Sequence, residues 1–344
     1  MKQIFTYKEP FVLESGQTLP EYHLAYHTFG QLNSTKDNVV WVFHALTANS
    51  DPIEWWPGLI GDGRFFDPAH YFIVCANIPG SCYGSLSPFD INPASKEPYY
   101  HDFPLFTTRD IIRAFQPLRK HLGIEKIHVG IGGSLGGQQL LEWAVEEPEL
   151  FKNIVPLATN AVHSAWGIAF NASQRMCIEQ DPTWHEKSPT AGSNGMKIAR
   201  SIALISYRNY ITYEATQKGV TDVSINNPID KQVYKAETYQ HYQGEKLVNR
   251  FNAFSYYLLS RTTDSHNVGR GRNSCESALA SIKARTLVIG ISSDLLFPPS
   301  EQGYLARHIP NTQLAVINSL YGHDGFLLEF QQIETLLKSF INEN

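Results

Sequence analysis

Residues 127–137 read Ile127-His-Val-Gly-Ile-Gly-Gly-Ser-Leu-Gly-Gly137, and the fold turns on how that string is understood. It contains Gly132-x-Ser134-x-Gly136 behind a short apolar run and ahead of the amphipathic stretch Gln138–Ala144. A serine on a sharp strand-to-helix turn sits in a strained backbone, and glycines two residues to either side let strand and helix approach closely. The turn lifts the hydroxyl above a sheet, at the positive amino end of the next helix. By composition alone the pattern arises in about one chain in ten of this length, so its context carries the weight. A glycine-rich dinucleotide turn is the competing reading. It fails because GxGxxG begun at Gly130 needs a sixth-position glycine where Leu135 stands. No GKS or GKT phosphate loop is present either.

Working outward, other short apolar runs bounded by turn residues read as buried strands: Val39–His44, Tyr71–Ala76, Ile154–Ala158, Thr286–Ile291 and Leu314–Asn318, beside Ile127–Gly132 itself. Helical periodicity covers Thr108–Leu122, Gly136–Glu147 and Leu327–Asn342. Strands alternating with helices imply an α/β fold, a mostly parallel sheet with helices on both faces. The alternation lapses between about residues 160 and 275, where Gly195–Thr212 and Gln243–Arg261 lean to helix. We therefore expect a catalytic core of residues 1–159 and 276–344 and an inserted helical cap, or lid, over 160–275. An independent second domain is the competing reading.

At 344 residues the chain is long for one core, which suits a core with an insertion. Hydrophobic residues make up 42%, charged residues 18%, and the net charge is −5, which argues against a nucleic-acid binder with a basic surface. The amino terminus has no apolar stretch of signal-peptide length, and no run reaches the length of a membrane span, so a cytoplasmic location is expected. Cysteines 75, 82, 177 and 275 form no CxxC pair and no metal-ligand spacing, so reduced structural thiols and no metal are expected.

An elbow serine needs a base and an acid, which in the α/β-hydrolase fold follow in the order Ser, acid, His on loops after later strands. Asp294 follows the run Thr286–Ile291, and His323 follows Leu314–Asn318 with a glycine on its amino side. His323 would take the Ser134 proton, and Asp294 would fix its tautomer and stabilise the imidazolium. Asp324, as a sequence neighbour of His323, is poorly placed to reach the far ring nitrogen and is assigned to substrate contact. Two backbone N–H groups, of Leu135 and of Leu46 in the loop after Val39–Phe43, are the expected oxyanion hole. His44 reads as a loop brace.

Longer strings carry a resemblance. They include His44-Ala-Leu-Thr47, Trp55-Trp56 with Gly58-Leu-Ile-Gly61, Cys82-Tyr-Gly-Ser85, Ile91-Asn-Pro93 and the elbow. They continue with Tyr242-Gln-Gly-Glu-Lys246, Arg250-Phe251, Gly269-Arg-Gly-Arg272, Ser292–Pro298 and Tyr321-Gly-His-Asp324. From about residue 5 to 330 the chain resembles the homoserine O-acyltransferases of methionine biosynthesis, a branch of the α/β-hydrolase superfamily. The resemblance implies ping-pong transfer from acetyl-CoA, a co-substrate rather than a resident cofactor, through acyl-Ser134 to the hydroxyl of L-homoserine. It also implies acceptor contacts at Thr47, Arg200, Tyr207 and Asp324, and a homodimer joined through the cap. An arginine suits the acceptor's carboxylate and an aspartate its ammonium; a solvated helix position is the alternative for Arg200. Succinyl-CoA as donor, serine as acceptor, or hydrolysis by an esterase would use the same triad. Phe89-Asp90 and Ala48-Asn49-Ser50 depart from the family pattern, and both segments read as neighbours of the site's mouth. Gly269–Arg272 reads either as a contact for the CoA phosphates or as a solvated loop.

Overall fold

Five of the six apolar runs become the middle of one eight-stranded sheet, and the sixth, Leu314–Asn318, its edge, with Leu314 and Val316 exposed, in a computed structural model that describes residues 1–342. The last two residues of the predicted core, 343 and 344, lie outside the described part. The strands are β1 (Gln3–Tyr7), β4 (Tyr22–Phe29), β5 (Val39–Phe43), β6 (Phe72–Ala76), β7 (Ile127–Gly133), β8 (Phe151–Leu157), β9 (Arg285–Ile291) and β10 (Thr312–Ile317). A separate two-stranded ribbon joins β2 (Phe11–Val12) to β3 (Thr18–Leu19). Spatial order is β1-β4-β6-β5-β7-β8-β9-β10, parallel from β6 to β10, with β1 and β4 antiparallel at one edge.

Strand β5 shows why such runs are apolar throughout. Its five residues are all buried, and the two-residue alternation sends Val39, Trp41 and Phe43 into one core layer and Val40 and Val42 into the other. The first layer is closed by α2 (Thr108–His121), α3 (Leu135–Glu146) and α10 (Pro299–His308); Trp41 meets Trp143 of α3 edge-on at 5.0 Å. The second is closed by α12 (Phe330–Asn342) and the segment following α1 (Pro52–Trp55). Helix α2 starts at a capping box of Thr107 and Asp110 and stops at Gly123 in the left-handed region (φ 68°).

Between β8 and β9 the chain contributes no strand to the sheet and six α-helices: α4 (Ala165–Glu179), α5 (Ser193–Tyr207), α6 (Tyr210–Thr216), α7 (Lys235–Val248), α8 (Ala253–Asp264) and α9 (Cys275–Ala280). Its two ends pair with each other, His163 N–H donating to the His266 carbonyl (3.0 Å) and Val268 N–H to the Ala161 carbonyl (3.0 Å). Both helical stretches expected here turn out to be broken. Gly195–Thr212 is interrupted by Asn209 and Gln243–Arg261 by Asn252, because each asparagine side chain caps a new helix by accepting from Thr212 N–H and Ser255 N–H. The last helix divides likewise, into α11 (Gly325–Leu328) and α12. Among the described residues no helix is long and apolar enough to cross a membrane, and all four cysteine thiols are free.

Strand order decides where a site can form. From β5 the chain crosses to β6 on one side and later returns to β7 on the other, so the crevice beyond the carboxyl ends of β5 and β7 is a topological switch point.

Candidate active site

Ser134 stands in that crevice, the single residue between β7 and α3. Its backbone adopts φ 57°, ψ −126°, a conformation that costs a non-glycine residue about 1–3 kcal/mol. Neighbours over-determine it. Ser134 N–H donates to the Leu157 carbonyl of β8 (3.0 Å), while its own carbonyl accepts from the Thr159 hydroxyl (2.9 Å) and Gln138 N–H (3.1 Å). The flanking glycines are required by contact. A Cβ on Gly136 would lie 2.2 Å from the Phe43 carbonyl oxygen, and one on Gly132 2.6 Å from the Gly136 carbonyl carbon.

Asp294 follows β9 and His323 follows β10. One Asp294 carboxylate oxygen accepts from the N–H groups of Leu296 (2.8 Å) and Phe297 (2.9 Å); the other lies 2.7 Å from His323 Nδ1. Both residues are only 3% exposed. Ser293 binds the two loops together, accepting from Gly322 N–H (3.2 Å) and donating to the Ser319 carbonyl (2.6 Å). Phe297 stacks on the imidazole at 5.0 Å. Burial alone would push the His323 pKa down, but attraction and hydrogen bonding to Asp294, with Asp324 nearby, outweigh it and raise it above the usual imidazole value.

His323 and Ser134 line one cavity of about 360 Å³, together with Leu46, Thr47, Arg200, Tyr207 and Asp324. Asp294 lies behind His323, and Leu135 offers its backbone at the first position of α3. The N–H groups of Leu46 and Leu135 make no hydrogen bond to any described residue, which leaves both donors available to a ligand. Gln139 links the two donor segments, its side-chain amide donating to the His44 (3.2 Å) and Leu135 (3.1 Å) carbonyls. His44 is buried and accepts from Ile78 N–H at Nε2 (3.0 Å), with Nδ1 2.9 Å from the Ala45 carbonyl; burial pushes its pKa down to about 4, so it is a neutral brace.

Arg200 lies over the Tyr207 ring at 5.4 Å, and Asp324 pairs with Arg208 at 3.2 Å. The end of α5 thus sits on the histidine loop, so closely that a Cβ on Gly322 would be 2.8 Å from the Tyr207 carbonyl oxygen. Among the other residues that line the cavity are three with polar side chains to which the sequence alone assigns no role: Glu54, Tyr83 and Arg250. Tyr83 and Arg250 lie inside strings that carry the resemblance, but their side-chain roles depend on contacts distant in sequence. Of the two departures from the family pattern, Ala48 and Asn49 do line the cavity. Phe89 and Asp90 do not: Phe89 packs against Tyr100 and Phe254, and Asp90 caps its own turn by accepting from Ser87 N–H (2.7 Å).

Gly269–Arg272 is neither a free cationic patch nor a solvated loop. Arg270 pairs with Glu14 (2.6 Å) and Arg272 with Glu142 (2.7 Å) and Glu146 (3.0 Å), while Arg109 bridges Glu14 (2.8 Å) and the fully buried Glu142 (2.7 Å). Among the described residues no group of three His, Cys, Asp or Glu side chains is placed to hold a metal ion.

An elbow serine, an Asp–His pair and two free N–H donors at a switch point define the α/β-hydrolase class, and a family model described as the alpha/beta hydrolase fold matches residues 38–330. Within that class, a homoserine O-acetyltransferase of Cyclobacterium marinum is 49% identical over 343 residues, covering all of this chain and 96% of that one. The chain belongs to the homoserine O-acetyltransferase family. Its fold is shared with the crystal structure of homoserine O-acetyltransferase from Bacillus anthracis (TM-score 0.89, 24% identity, 100% of this chain and 98% of that one). It is shared equally with esterase E22 (TM-score 0.88, 22% identity, 99% and 100%).

Proposed function

We propose that this chain is an acyltransferase that moves an acetyl group from acetyl-CoA to the hydroxyl of L-homoserine by a ping-pong route. His323 takes the Ser134 proton as Oγ bonds to the thioester carbonyl carbon, and the resulting oxyanion rests on the N–H groups of Leu46 and Leu135. Collapse breaks the C–S bond, and the imidazolium returns the proton to the departing sulfur, leaving acyl-Ser134 and free CoA. In the second half His323 accepts the homoserine hydroxyl proton, the new C–O bond forms, and Ser134 leaves with the proton restored.

One observation carries transfer over hydrolysis: a cation, Arg200, and an anion, Asp324, line the same cavity as Ser134 and His323. That pair matches the carboxylate and ammonium of an amino acid, whereas water as acceptor needs neither. Residues 160–275 act as a lid that keeps water from the acyl-enzyme. The outer face of that lid supports a homodimer, because Met176 and Ile198 are exposed around an apolar groove between α4 and α5. The four free thiols suit the cytoplasm.

The test is thiol release from acetyl-CoA with and without L-homoserine. Multiple turnovers that require homoserine support the transferase. Turnover without an acceptor indicates an esterase, turnover with succinyl-CoA or L-serine alone redirects the specificity, and no release from any acyl-CoA refutes the proposal.

A further inference from the structure

The first oxyanion donor, Leu46 N–H, sits in the turn Ala45–Ala48, which has one internal hydrogen bond, Ala48 N–H to the Ala45 carbonyl (3.1 Å). Such a turn can rock, and a few tenths of an ångström of rocking re-aims the donor. Gln139 holds it on the α3 side through the His44 carbonyl. On the opposite side stands Arg250, in the break between α7 and α8. Its Nη1 donates to the Thr47 carbonyl (2.5 Å) and to the Tyr83 hydroxyl (2.8 Å), and its Nη2 lies 3.4 Å from Thr47 Oγ1. The Arg250 carbonyl in turn accepts from the Cys82 thiol at 3.5 Å, which fixes its backbone over the loop carrying Tyr83. Both carboxylates that line the cavity are engaged elsewhere, Glu54 by Asn49 (2.8 Å) and Asp324 by Arg208 (3.2 Å). The guanidinium is exposed and has no ion-pair partner among the described residues, so its loss should cost the fold little.

We infer that Arg250 is a positioning residue for the acylation step: by holding the Thr47 carbonyl it aims the Leu46 N–H at the oxyanion. This rests on the oxyanion reading above. Through Arg250 the segment between β8 and β9 sets the reactivity of the core as well as covering it. Deleting an oxyanion donor outright lowers rates about 10²–10³-fold, so a misaimed donor lowers them about ten-fold.

The experiment follows single-turnover acylation of Ser134 with two donors, acetyl-CoA (thiol release) and p-nitrophenyl acetate (phenolate release). It uses wild type, Arg250→Ala and Arg250→Lys, with the melting temperature recorded for each. The expected result is acylation about ten-fold slower for Arg250→Ala with both donors at unchanged donor affinity. Arg250→Lys should be intermediate, the melting temperature unchanged, and added guanidinium should restore part of the alanine variant's rate. Normal acylation with a defect confined to the homoserine half-reaction would make Arg250 an acceptor contact and overturn the inference. A defect with acetyl-CoA but not the ester would make it a CoA contact and overturn the inference equally. If wild type ignores acetyl-CoA, the transferase proposal fails, while the ester arm still reads Arg250.

Discussion

Replacing Asp294 by asparagine isolates the electrostatic half of the triad. The amide oxygen keeps the shape needed to accept from Leu296 and Phe297 N–H, so the loop after β9 stays in place. The amide nitrogen, however, faces His323 Nδ1 at 2.7 Å, donor against donor. The imidazole escapes by moving its proton to Nε2, where it can no longer accept one from Ser134. Restoring the reactive tautomer gives up the neutral amide–imidazole hydrogen bond and leaves two buried donors facing each other, about 1–3 kcal/mol. The imidazolium formed in the transition state also loses a carboxylate some 4 Å from its charge centre, about 4 kcal/mol at the effective dielectric of such sites. Together these reach about 6 kcal/mol, or on the order of 10⁴-fold in the acylation rate. The assay is stopped-flow thiol release at saturating acetyl-CoA across pH 5 to 9. In wild type the active, neutral His323 accumulates above a pKa raised by Asp294, so the acidic limb lies above the ordinary value near 6.5. In Asp294→Asn the limb should move to lower pH while the plateau collapses. A variant within ten-fold of wild type, with an unmoved limb, would refute the assignment of Asp294. Asp294→Ala is less informative, since it also strands two buried N–H donors.

Arg200→Ala should leave acylation intact and raise KM for homoserine about 10²-fold, the equivalent of one bidentate carboxylate contact; an unchanged acceptor KM sinks its assignment. Gly136→Ala places a methyl against the Phe43 backbone and should lower unfolding free energy by about 3 kcal/mol or more in denaturant titration. Gly16→Ala, with nothing within 4 Å but φ 85°, should lower it by only about 1 kcal/mol. Acid should destabilise the fold over a defined window. Burial lowers His44 and His163 to about 4 and His266 to about 3, so the unfolded chain takes up protons first and stability falls as pH drops from about 6.5 towards 4. His323, with its raised pKa, works in the opposite sense, stabilising below 6.5 and losing that effect as pH rises through its folded value. Denaturation midpoints that stay flat between pH 7 and 4 would show that these three histidines are not buried neutral.

The sheet is legible in the sequence wherever strands are buried on both faces, because such strands are apolar along their whole length; β5 through β9 are of this kind. Strands β1 and β4 are not. β1 lies at an edge with most residues exposed, and β4 carries histidines and tyrosines, so neither produces an apolar run. Helices between β8 and β9 are visible as a tendency but not as elements, since Asn209 and Asn252 act as caps only when the chain turns there. At the site, Ser134 can be read because its glycines are demanded by local geometry. Arg250 cannot, because its partners Thr47 and Tyr83 are 203 and 167 residues away in sequence. Arg270 and Arg272 show the converse: a glycine–arginine string looks available for phosphate until Glu14, Glu142 and Glu146 are found beside it.

That charge network bears on how this sequence can drift. Glu14, Arg109, Glu142 and the arginines of 269–272 come from four separate stretches of chain, and Glu142 has no exposure to dilute a mismatch. Every member but Arg270 has two partners, so a single loss leaves the remaining charges paired, except that losing Glu14 leaves Arg270 without a counter-ion. Single replacements at these positions are therefore cushioned by the second partner, least so at Glu14. Lineages can leave the arrangement one residue at a time, with Glu14 expected to change only after Arg270.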